Sequence, residues 1–236
     1  MLFRSDPKKE MNDSMILRAL DEPYQATVLS INDDVWMLDV YSEANTIDPY
    51  AKKAQGNVLT FGLGIGYFVY MALLNKKVDS ITVIENNPVI IELFKKHILP
   101  QFPNNTKVTI ILGDAMDYFN EATLSAYDYC FVDIYQSNDD GLLMMEKLLE
   151  NYLPEYETTD FWIEQSCLEV LNALLVIYFE LVSLNKPIKH HNFQYNKLLQ
   201  KIDKYFNQFE YTLESVEDMK NLMYNTKTAR EILSTS

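Results

Sequence analysis

Residues 57–67, NVLTFGLGIGY, constrain the fold of this chain more than any other stretch. An apolar run ending at Phe61 leads into glycines at alternating positions, Gly62, Gly64 and Gly66, and an apolar helix-like segment follows from Tyr67. Glycine permits a tight turn and lets a ligand lie against the backbone. The start of a helix offers free N–H groups and the positive end of its dipole. The stretch therefore predicts a buried strand that turns sharply into a helix beside a bound nucleotide.

The spacing of the glycines narrows the class of ligand. A dinucleotide fingerprint, G-x-G-x-x-G, would place its third glycine at position 67, which is Tyr67. No G-K-[ST] follows, so a P-loop is excluded. G-x-G-x-G after a strand resembles the loop of S-adenosylmethionine-dependent methyltransferases and their relatives. Taken alone, three glycines also fit a plain strand-to-helix turn, so the other strands must decide between the two.

Length and charge limit the kinds of partner. The chain has 236 residues, of which 48% are hydrophobic, which is enough for one α/β domain with a modest extension. Its net charge of −14 argues against a nucleic-acid partner. Arginines for binding phosphate are scarce, since the chain contains only Arg4, Arg18 and Arg230.

Hydropathy and cysteine usage bear on the compartment. Residues 1–13 lack the apolar segment of a signal peptide, and the longest apolar stretch, residues 167–184, contains Glu169 and Glu180. Two carboxylates at those depths disfavour a membrane span, so we expect a buried helix and no membrane contact. Cys130 and Cys167 show no metal or redox spacing, which fits a reducing cytosol. The sequence therefore predicts a cytoplasmic protein without a metal site.

Strands and helices alternate after the glycine loop. Predicted strands cover residues 57–61, 80–85, 107–112, 127–134 and 160–165. Predicted helices cover 67–74, 89–98, 114–122 and 141–151, and Asn86-Asn87-Pro88 supplies a helix cap and a first-turn proline for the second of them. Near-continuous apolar strands between amphipathic helices indicate a mostly parallel sheet covered on both faces. The predicted fold class is thus α/β and Rossmann-like.

The two ends of the chain differ from this middle part. Residues 1–25 are polar and predict a short helix or arm, and residues 26–31 and 35–41 predict a β-hairpin around Asn32-Asp33-Asp34. Helical patterns cover 167–184, 193–209 and 216–233, with a break at Lys186-Pro187. The predicted organisation is an N-terminal arm and hairpin (1–56), a Rossmann-like core (57–166) and a helical C-terminal extension (167–236), within one continuous domain.

Acidic residues follow successive predicted strands. Glu85 ends the second strand, where an acid suits ribose hydroxyls, and Gly113-Asp114-Ala115 follows the third, where it suits an adenine edge. Asp133 ends the fourth and faces the predicted reaction centre. Each acid has a structural alternative: Glu85 as a solvated strand end, Asp114 as a helix cap, and Asp133 as either. The predicted cofactor-binding set is Phe61, Gly62, Gly64, Gly66, Glu85, Asn86, Asp114, Ala115 and Asp133.

With these residues, positions 57–141 resemble class I S-adenosylmethionine-dependent methyltransferases, and within that group they are most similar to spermidine synthase-like proteins. Those proteins share the strand and glycine loop, an acid after the second strand, Gly-Asp-Ala or Gly-Asp-Gly after the third, and an Asp after the fourth. The hairpin before the loop also suits them. The resemblance implies S-adenosylmethionine, or its decarboxylated form, as the cofactor.

Three departures from the family pattern concern the reaction. Aminopropyltransferases usually have an Asp inside the glycine loop and a D-x-x-D after the fourth strand, where this chain has Ile65 and Gln136. Asp139 and Asp140 lie close enough in sequence to substitute for the missing second acid. Many methyltransferases also have an acid just before the first glycine, and here that position is Phe61.

Three functions remain open at this point. The first is methyl transfer to a small-molecule acceptor, in which Asp133 or Tyr135 orients or deprotonates the acceptor and Tyr135 alternatively packs against the sulfonium. The second is aminopropyl transfer. The third is a degenerate, non-catalytic protein that interacts through its helical C-terminus. A homodimer through the hairpin or the C-terminal helices is compatible with all three.

Overall fold

A five-stranded parallel sheet organises the first part of the molecule. Its strands are β4 (Gly56–Phe61), β5 (Val78–Glu85), β6 (Val108–Leu112), β7 (Tyr129–Val132) and β8 (Thr159–Phe161). The computed structural model describes residues 2–5, 27–31, 34–38, 41–208, 213 and 215–235. The strand order is β6-β5-β4-β7-β8, and every pairing is parallel. The order reverses at β4, which confirms the predicted Rossmann-like α/β class and creates a switch point between β4 and β7.

Helices connect these strands. They are α1 (Tyr41–Lys53), α2 (Tyr67–Leu74), α3 (Pro88–Leu93), α4 (Ala115–Tyr118) and α5 (Glu121–Leu124). A π-helical segment (Phe94–Ile98) continues α3, and two 3-10 turns follow it (Leu99–Gln101 and Asn105–Lys107). The predicted cap of α3 is confirmed, since the Asn87 side chain accepts from the Val89 N–H at 3.0 Å. The predicted helix over 114–122 is instead divided into α4 and α5. Asn120 caps the second piece by accepting from the Thr123 N–H.

The apolar strands form the core of this part. Val58 and Leu59 of β4, Ile81 of β5 and Phe131 of β7 are at most 1% exposed. These strands read as apolar runs because helices and loops cover both faces of the sheet. β6 differs, since it lies at the sheet edge and Leu112 is 58% exposed. The carboxyl ends of the central strands are therefore held by a dry, closely packed interior.

A separate antiparallel sheet of three strands lies near the N-terminus of the chain. β2 (Thr27–Ile31) and β3 (Asp34–Leu38) form the predicted hairpin, with an irregular register between Leu29 and Ser30. β1 (Leu2–Ser5) pairs with β2, where a helix or arm was predicted. Residues 6–25 of that predicted arm lie outside the described residues. The third strand ends before Tyr41, which instead begins α1, a helix that the sequence pattern did not predict.

The chain forms two compact units, the first comprising residues 1–136 and 157–162 and the second residues 137–156 and 163–236. The second unit contains α6 (Asn138–Asn151), α7 (Glu164–Cys167), α8 (Glu169–Ser183), α9 (Phe193–Phe206), α10 (Val216–Met223) and α11 (Thr226–Ser234). The break at Lys186-Pro187 is confirmed. The predicted helix over 216–233 is divided in two at Asn225, whose side chain caps α11 by accepting from the Thr228 N–H.

Charged side chains are buried inside the helical unit. Arg230 is 1% exposed and forms a two-pronged pair with Glu164, at 2.6 Å from Nε to Oε1 and 2.7 Å between the second nitrogen and Oε2. Its guanidinium also lies 4.6 Å from the centre of the Tyr156 ring. Lys201, 6% exposed, pairs with Glu150 at 2.8 Å and donates to the carbonyl of Leu233 at the end of α11. These contacts join α7, α9 and α11 to one another.

Among the helices in the described ranges, none combines the length and the apolar character needed to cross a membrane.

The two cysteines are buried, and we expect neither to react in the folded protein. Cys130 and Cys167 are each 1% exposed, and burial raises the pKa of the Cys130 thiol to about 12. At pH 8 a thiol with that pKa is ionised in roughly one molecule in ten thousand, and the thiolate is the reactive form. Titration with an aromatic disulfide reagent should release no thiolate from native protein and two equivalents in denaturant. One rapidly reacting equivalent in native protein would show that a buried site opens readily.

Candidate functional site

The carboxyl ends of the four strands β4 to β7 lie side by side and form the carboxyl edge of the sheet. Strand register places Phe61 opposite Ile84 and Val132, so β4, β5 and β7 end at the same level. Backbone bonds cross this edge: the Gly62 N–H donates to Ile84 O at 2.9 Å and the Gly113 N–H donates to Glu85 O at 3.0 Å. The edge from β6 to β7 spans three strand spacings, roughly 14 Å. The predicted acids are thus brought together along a single edge.

Glu85 is held from two directions. Its side chain lies at the end of β5 and is 7% exposed. Oε2 accepts from the Leu63 N–H of the glycine loop at 3.0 Å, and Oε1 accepts from the Asn87 N–H at 2.8 Å. A carboxylate has about four lone-pair positions, so each oxygen retains capacity for a ribose hydroxyl. The alternative of a solvated strand end is wrong for this residue, because its carboxylate is buried and fixed.

Two of the glycines are required by packing. Gly62 has a φ of +92°, and a Cβ there would collide with the backbone carbonyl oxygen of Asp133. Gly66 has a φ of +83°, and a Cβ there would overlap the Phe94 ring. Gly62 therefore allows β4 and β7 to approach each other, and Gly66 allows the loop to lie against Phe94. Gly64 is half-buried and has a φ of +51°. The packing contacts that explain Gly62 and Gly66 do not involve Gly64, whose predicted role is to lie beside the ligand.

The Gly-Asp-Ala sequence after β6 begins a helix. Asp114 is exposed, and its Oδ1 accepts from the Met116 N–H at 2.9 Å, so the predicted alternative of a helix cap is confirmed. Capping occupies part of one carboxylate, which leaves acceptor capacity for an adenine edge. Ala115 is 8% exposed, and Asn86 is exposed beside Glu85. All three residues lie at the same edge as the glycine loop.

Phe61 lies in the core rather than in the site. Its side chain has 0% exposure and packs against Phe119 with ring centres 5.7 Å apart. Only its backbone takes part at the edge, where Phe61 O accepts from the Asp133 N–H at 2.9 Å. A ligand therefore cannot contact the Phe61 side chain, and its inclusion in the predicted set is corrected to this backbone contact. Asp133 itself is half-buried at the end of β7.

The predicted catalytic Tyr135 has a hydroxyl group that is already engaged. Tyr135 is 6% exposed, and its hydroxyl donates to the backbone carbonyl of Trp162. The Trp162 indole in turn donates to Thr46 Oγ1 on α1 at 2.9 Å. This chain of bonds joins the ends of β7 and β8 to α1. The arrangement favours a structural role for the Tyr135 hydroxyl.

Removing that hydroxyl should cost stability and leave ligand affinity unchanged. Tyr135→Phe loses one hydrogen bond to a partly buried backbone carbonyl, which should lower the free energy of unfolding by about 1 kcal/mol. Denaturant unfolding measures the stability, and calorimetric titration with S-adenosylhomocysteine, an analogue of the cofactor that the resemblance of residues 57–141 implies, measures the affinity. A several-fold loss of affinity without a loss of stability would restore Tyr135 to the site.

A hydrogen-bonded cluster of Tyr129, Asp160 and Lys53 contains a tyrosine with a raised pKa. Burial, followed by the charge of Asp160, raises the pKa of Tyr129 well above its usual range. Its hydroxyl donates to Asp160 Oδ2 at 2.7 Å, and Lys53 pairs with the same carboxylate at 2.8 Å. Tyr129 is the first residue of β7, so this cluster lies at the amino edge of the sheet. It supports the packing of β7 on β8 and takes no part in the candidate site.

Several residues of the site could not be read from the sequence. Leu63 contributes a backbone N–H to Glu85, and Phe94 contacts the glycine loop from a position 28 residues beyond Gly66. Asn87 was predicted as a cap, and the Asn-Pro pair is the signal for it. That its own N–H also binds Glu85 follows only from the folded structure.

The chain matches no protein-family model and no curated protein. Among solved structures it is similar to a dimethyladenosine transferase from Plasmodium falciparum, with 21% identity over 49% of this chain and 38% of that chain, and a TM-score of 0.34. It is also similar to human methyltransferase-like protein 13 in complex with SAH (19% identity, 38% of this chain, 43% of that chain, TM-score 0.28). A third similar structure is spermidine synthase from Thermotoga maritima, with 16% identity over 58% of this chain and 52% of that chain, and a TM-score of 0.38. The chain thus spans about two fifths to one half of these proteins, and its fold class follows from the strand order itself.

Proposed function

We propose that this chain binds S-adenosylmethionine and transfers its methyl group to a small-molecule acceptor. The observation that carries the proposal is the geometry of Glu85. A buried carboxylate at the end of β5 is tied to the glycine loop on one side and to the start of α3 on the other, one strand away from the switch point between β4 and β7. Open α/β sheets bind nucleotides at such a point.

The residues at the edge fit the nucleoside half of this cofactor. The two ribose hydroxyls are donors, and Glu85 offers acceptor positions on both oxygens. Asp114 offers carboxylate oxygens toward an adenine amino group, and the loop at Gly64 permits close approach of the ligand. Position 61 supplies no charged partner for the amino-acid half, since Phe61 is buried. Affinity should therefore depend mainly on the nucleoside.

The protein's part in methyl transfer is to position the acceptor. When bound, S-adenosylmethionine supplies a methyl group that its sulfonium already activates. The proposed role of Asp133, which is half-buried directly after β7, is to accept a proton from an acceptor O–H or N–H or to orient that group. Holding acceptor and donor in line is the main source of rate enhancement in such a site.

The sequence disfavours aminopropyl transfer, since Gln136 stands where the second acid of D-x-x-D is expected. A polyamine acceptor needs several carboxylates around its cationic amines. Asp140, one of the two candidates to replace the missing acid, accepts from both the N–H and the hydroxyl of Ser137 at the start of α6, at 2.8 and 2.7 Å. This capping box gives Asp140 a structural role.

Calorimetric titration with four ligands tests the proposal. S-adenosylmethionine and S-adenosylhomocysteine should bind with micromolar to millimolar affinity, and methylthioadenosine should retain most of that affinity because it keeps the nucleoside. Decarboxylated S-adenosylmethionine is the comparison ligand. A clear preference for decarboxylated S-adenosylmethionine and methylthioadenosine would favour aminopropyl transfer. If none of the four ligands gives a detectable heat of binding, the non-catalytic protein is favoured.

A further inference from the structure

The Phe94 ring lies directly against the glycine loop. Phe94 is fully buried, and a Cβ added to Gly66 would overlap its ring, with the ring Cζ only 2.9 Å away. The Gly66 backbone is in the left-handed region, at φ 83° and ψ 20°. The ring therefore occupies the space that any side chain at position 66 would need. Position 66 requires glycine for this contact alone, before any ligand is considered.

The orientation of the Phe94 ring is fixed from its other side. Phe94 begins the π-helical segment, and its carbonyl accepts from the Leu99 N–H. Its ring packs edge-on against Phe102, with centres 5.5 Å apart, and Phe102 packs against Tyr70 of α2 at 5.0 Å. Aromatic pairs of this geometry restrict ring motion and pack densely. The ring is thus held between the loop and Phe102, which itself rests on α2.

The same helix is attached to the loop at its opposite end. Glu85 bridges the Asn87 N–H at the start of α3 and the Leu63 N–H of the loop. Within the loop, the Gly66 N–H donates to Leu63 O at 2.8 Å. The contacts form a closed circuit from Glu85 through Leu63, Gly66 and Phe94 and back along α3. A shift at Phe94 is therefore transmitted to the hydrogen bond that orients Glu85.

We infer that Phe94 is a positioning residue for the Glu85 carboxylate. By supporting Gly66, it keeps the Leu63 N–H on Glu85 Oε2 and so fixes the direction in which the carboxylate faces a ribose. The contact between Glu85 and a ribose rests on the proposed function. The coupling between Phe94 and the Leu63 hydrogen bond belongs to the protein alone, and it can be measured without ligand.

Amide hydrogen exchange of the ligand-free protein tests the coupling. Phe94→Leu keeps an apolar side chain but loses the flat ring, and exchange of the Leu63 and Asn87 amides should accelerate about tenfold, as expected for one weakened hydrogen bond to a charged group. The control is Phe68→Leu, since Phe68 is also buried (6% exposed) but stacks on Phe131, at 4.4 Å. If Phe94→Leu does not fold, Phe94→Met replaces it, and the same acceleration of exchange at the Leu63 and Asn87 amides is expected. Unchanged exchange at Leu63, or equal acceleration in the control, overturns the inference.

Ligand discrimination tests the consequence for binding. Wild-type protein should bind S-adenosylhomocysteine more tightly than its 2′-deoxy form, because Glu85 accepts from the ribose hydroxyls. In Phe94→Leu the ratio of the two affinities should fall toward one, and in Phe68→Leu it should stay at the wild-type value. A wild-type ratio in Phe94→Leu contradicts the positioning role. If wild-type protein binds neither ligand, the proposed function fails and the exchange experiment alone decides the coupling.

Discussion

Glu85→Gln should weaken binding of S-adenosylhomocysteine by about 10- to 100-fold. The variant has one acceptor oxygen in place of two and carries no charge, so at least one of the two proposed ribose hydrogen bonds is lost, and a hydrogen bond to a charged group contributes about 1.5–3 kcal/mol. The amide of the variant retains one acceptor oxygen for the Leu63 or Asn87 N–H, so the protein should still fold. Isothermal calorimetry measures the change in affinity, and thermal unfolding monitors the fold.

Glu92→Gln is the matched control for this variant. Glu92 is an exposed acid on α3, seven residues further along the chain than Glu85. Its substitution by glutamine removes the same formal charge as Glu85→Gln. Its affinity should stay within about twofold of wild type, because a solvated charge several residues from the site is screened. Equal affinity of Glu85→Gln and wild type would refute the assignment of the ribose to Glu85.

Arg230→Met should destabilise the helical unit by about 3–5 kcal/mol. The change leaves the Glu164 carboxylate, 8% exposed, without the cation that pairs with both its oxygens, and an unpaired buried charge is costly. It also removes the contact of the guanidinium with the Tyr156 ring. Urea unfolding followed by far-ultraviolet circular dichroism measures the loss, which is a large fraction of the roughly 5–15 kcal/mol by which an ordinary domain is stable.

Two further variants make this prediction specific to the buried pair. Lys220→Met breaks the Lys220–Glu217 pair on α10, which is 3.6 Å long and exposed on both sides, and should change stability by less than about 0.5 kcal/mol. Arg230→Met combined with Glu164→Leu removes both charges and should recover much of the loss, since an apolar pair often replaces a buried ion pair without cost. Similar stability for Arg230→Met and Lys220→Met would mean that the buried pair is not as the structure describes it.

The parts of the fold that depend on local signals were predictable from the sequence. The helix over 67–74 was predicted at its observed bounds, because glycine precedes it and the apolar run ends at Asn75. The Asn-Pro pair likewise marks the start of α3. The strands of the sheet were found because both faces are covered, which makes each an apolar run.

The parts that depend on distant contacts were not predictable. β1 pairs Leu2 with Ser30, and nothing in four residues announces a partner so far along the chain. The predicted helix at 114–122 breaks at Phe119, whose side chain is completely buried between Phe61 and Phe161. Burial of that ring in the core outweighs the local helical pattern.

The candidate site shows the same division. Acids at successive strand ends indicated the edge of the sheet, since the carboxyl ends of parallel strands lie together. The sequence could not indicate that Glu85 is tied to Leu63 and Asn87, nor that the Phe61 side chain turns into the core. Hydrogen-bond partners and side-chain burial depend on the packed structure, which the strand pattern leaves open.

Amide chemical-shift mapping with S-adenosylhomocysteine tests the central claim most directly. If the carboxyl edge binds the nucleoside, shifts should be confined to the amides of residues 62–66, 85–87, 113–115 and 133. The amides at the amino ends of the same strands, Gly56, Val78, Val108 and Tyr129, serve as the internal comparison and should not move. Shifts at those four amides, or no shifts at all with ligand in excess, would contradict the assignment of this edge as the cofactor site.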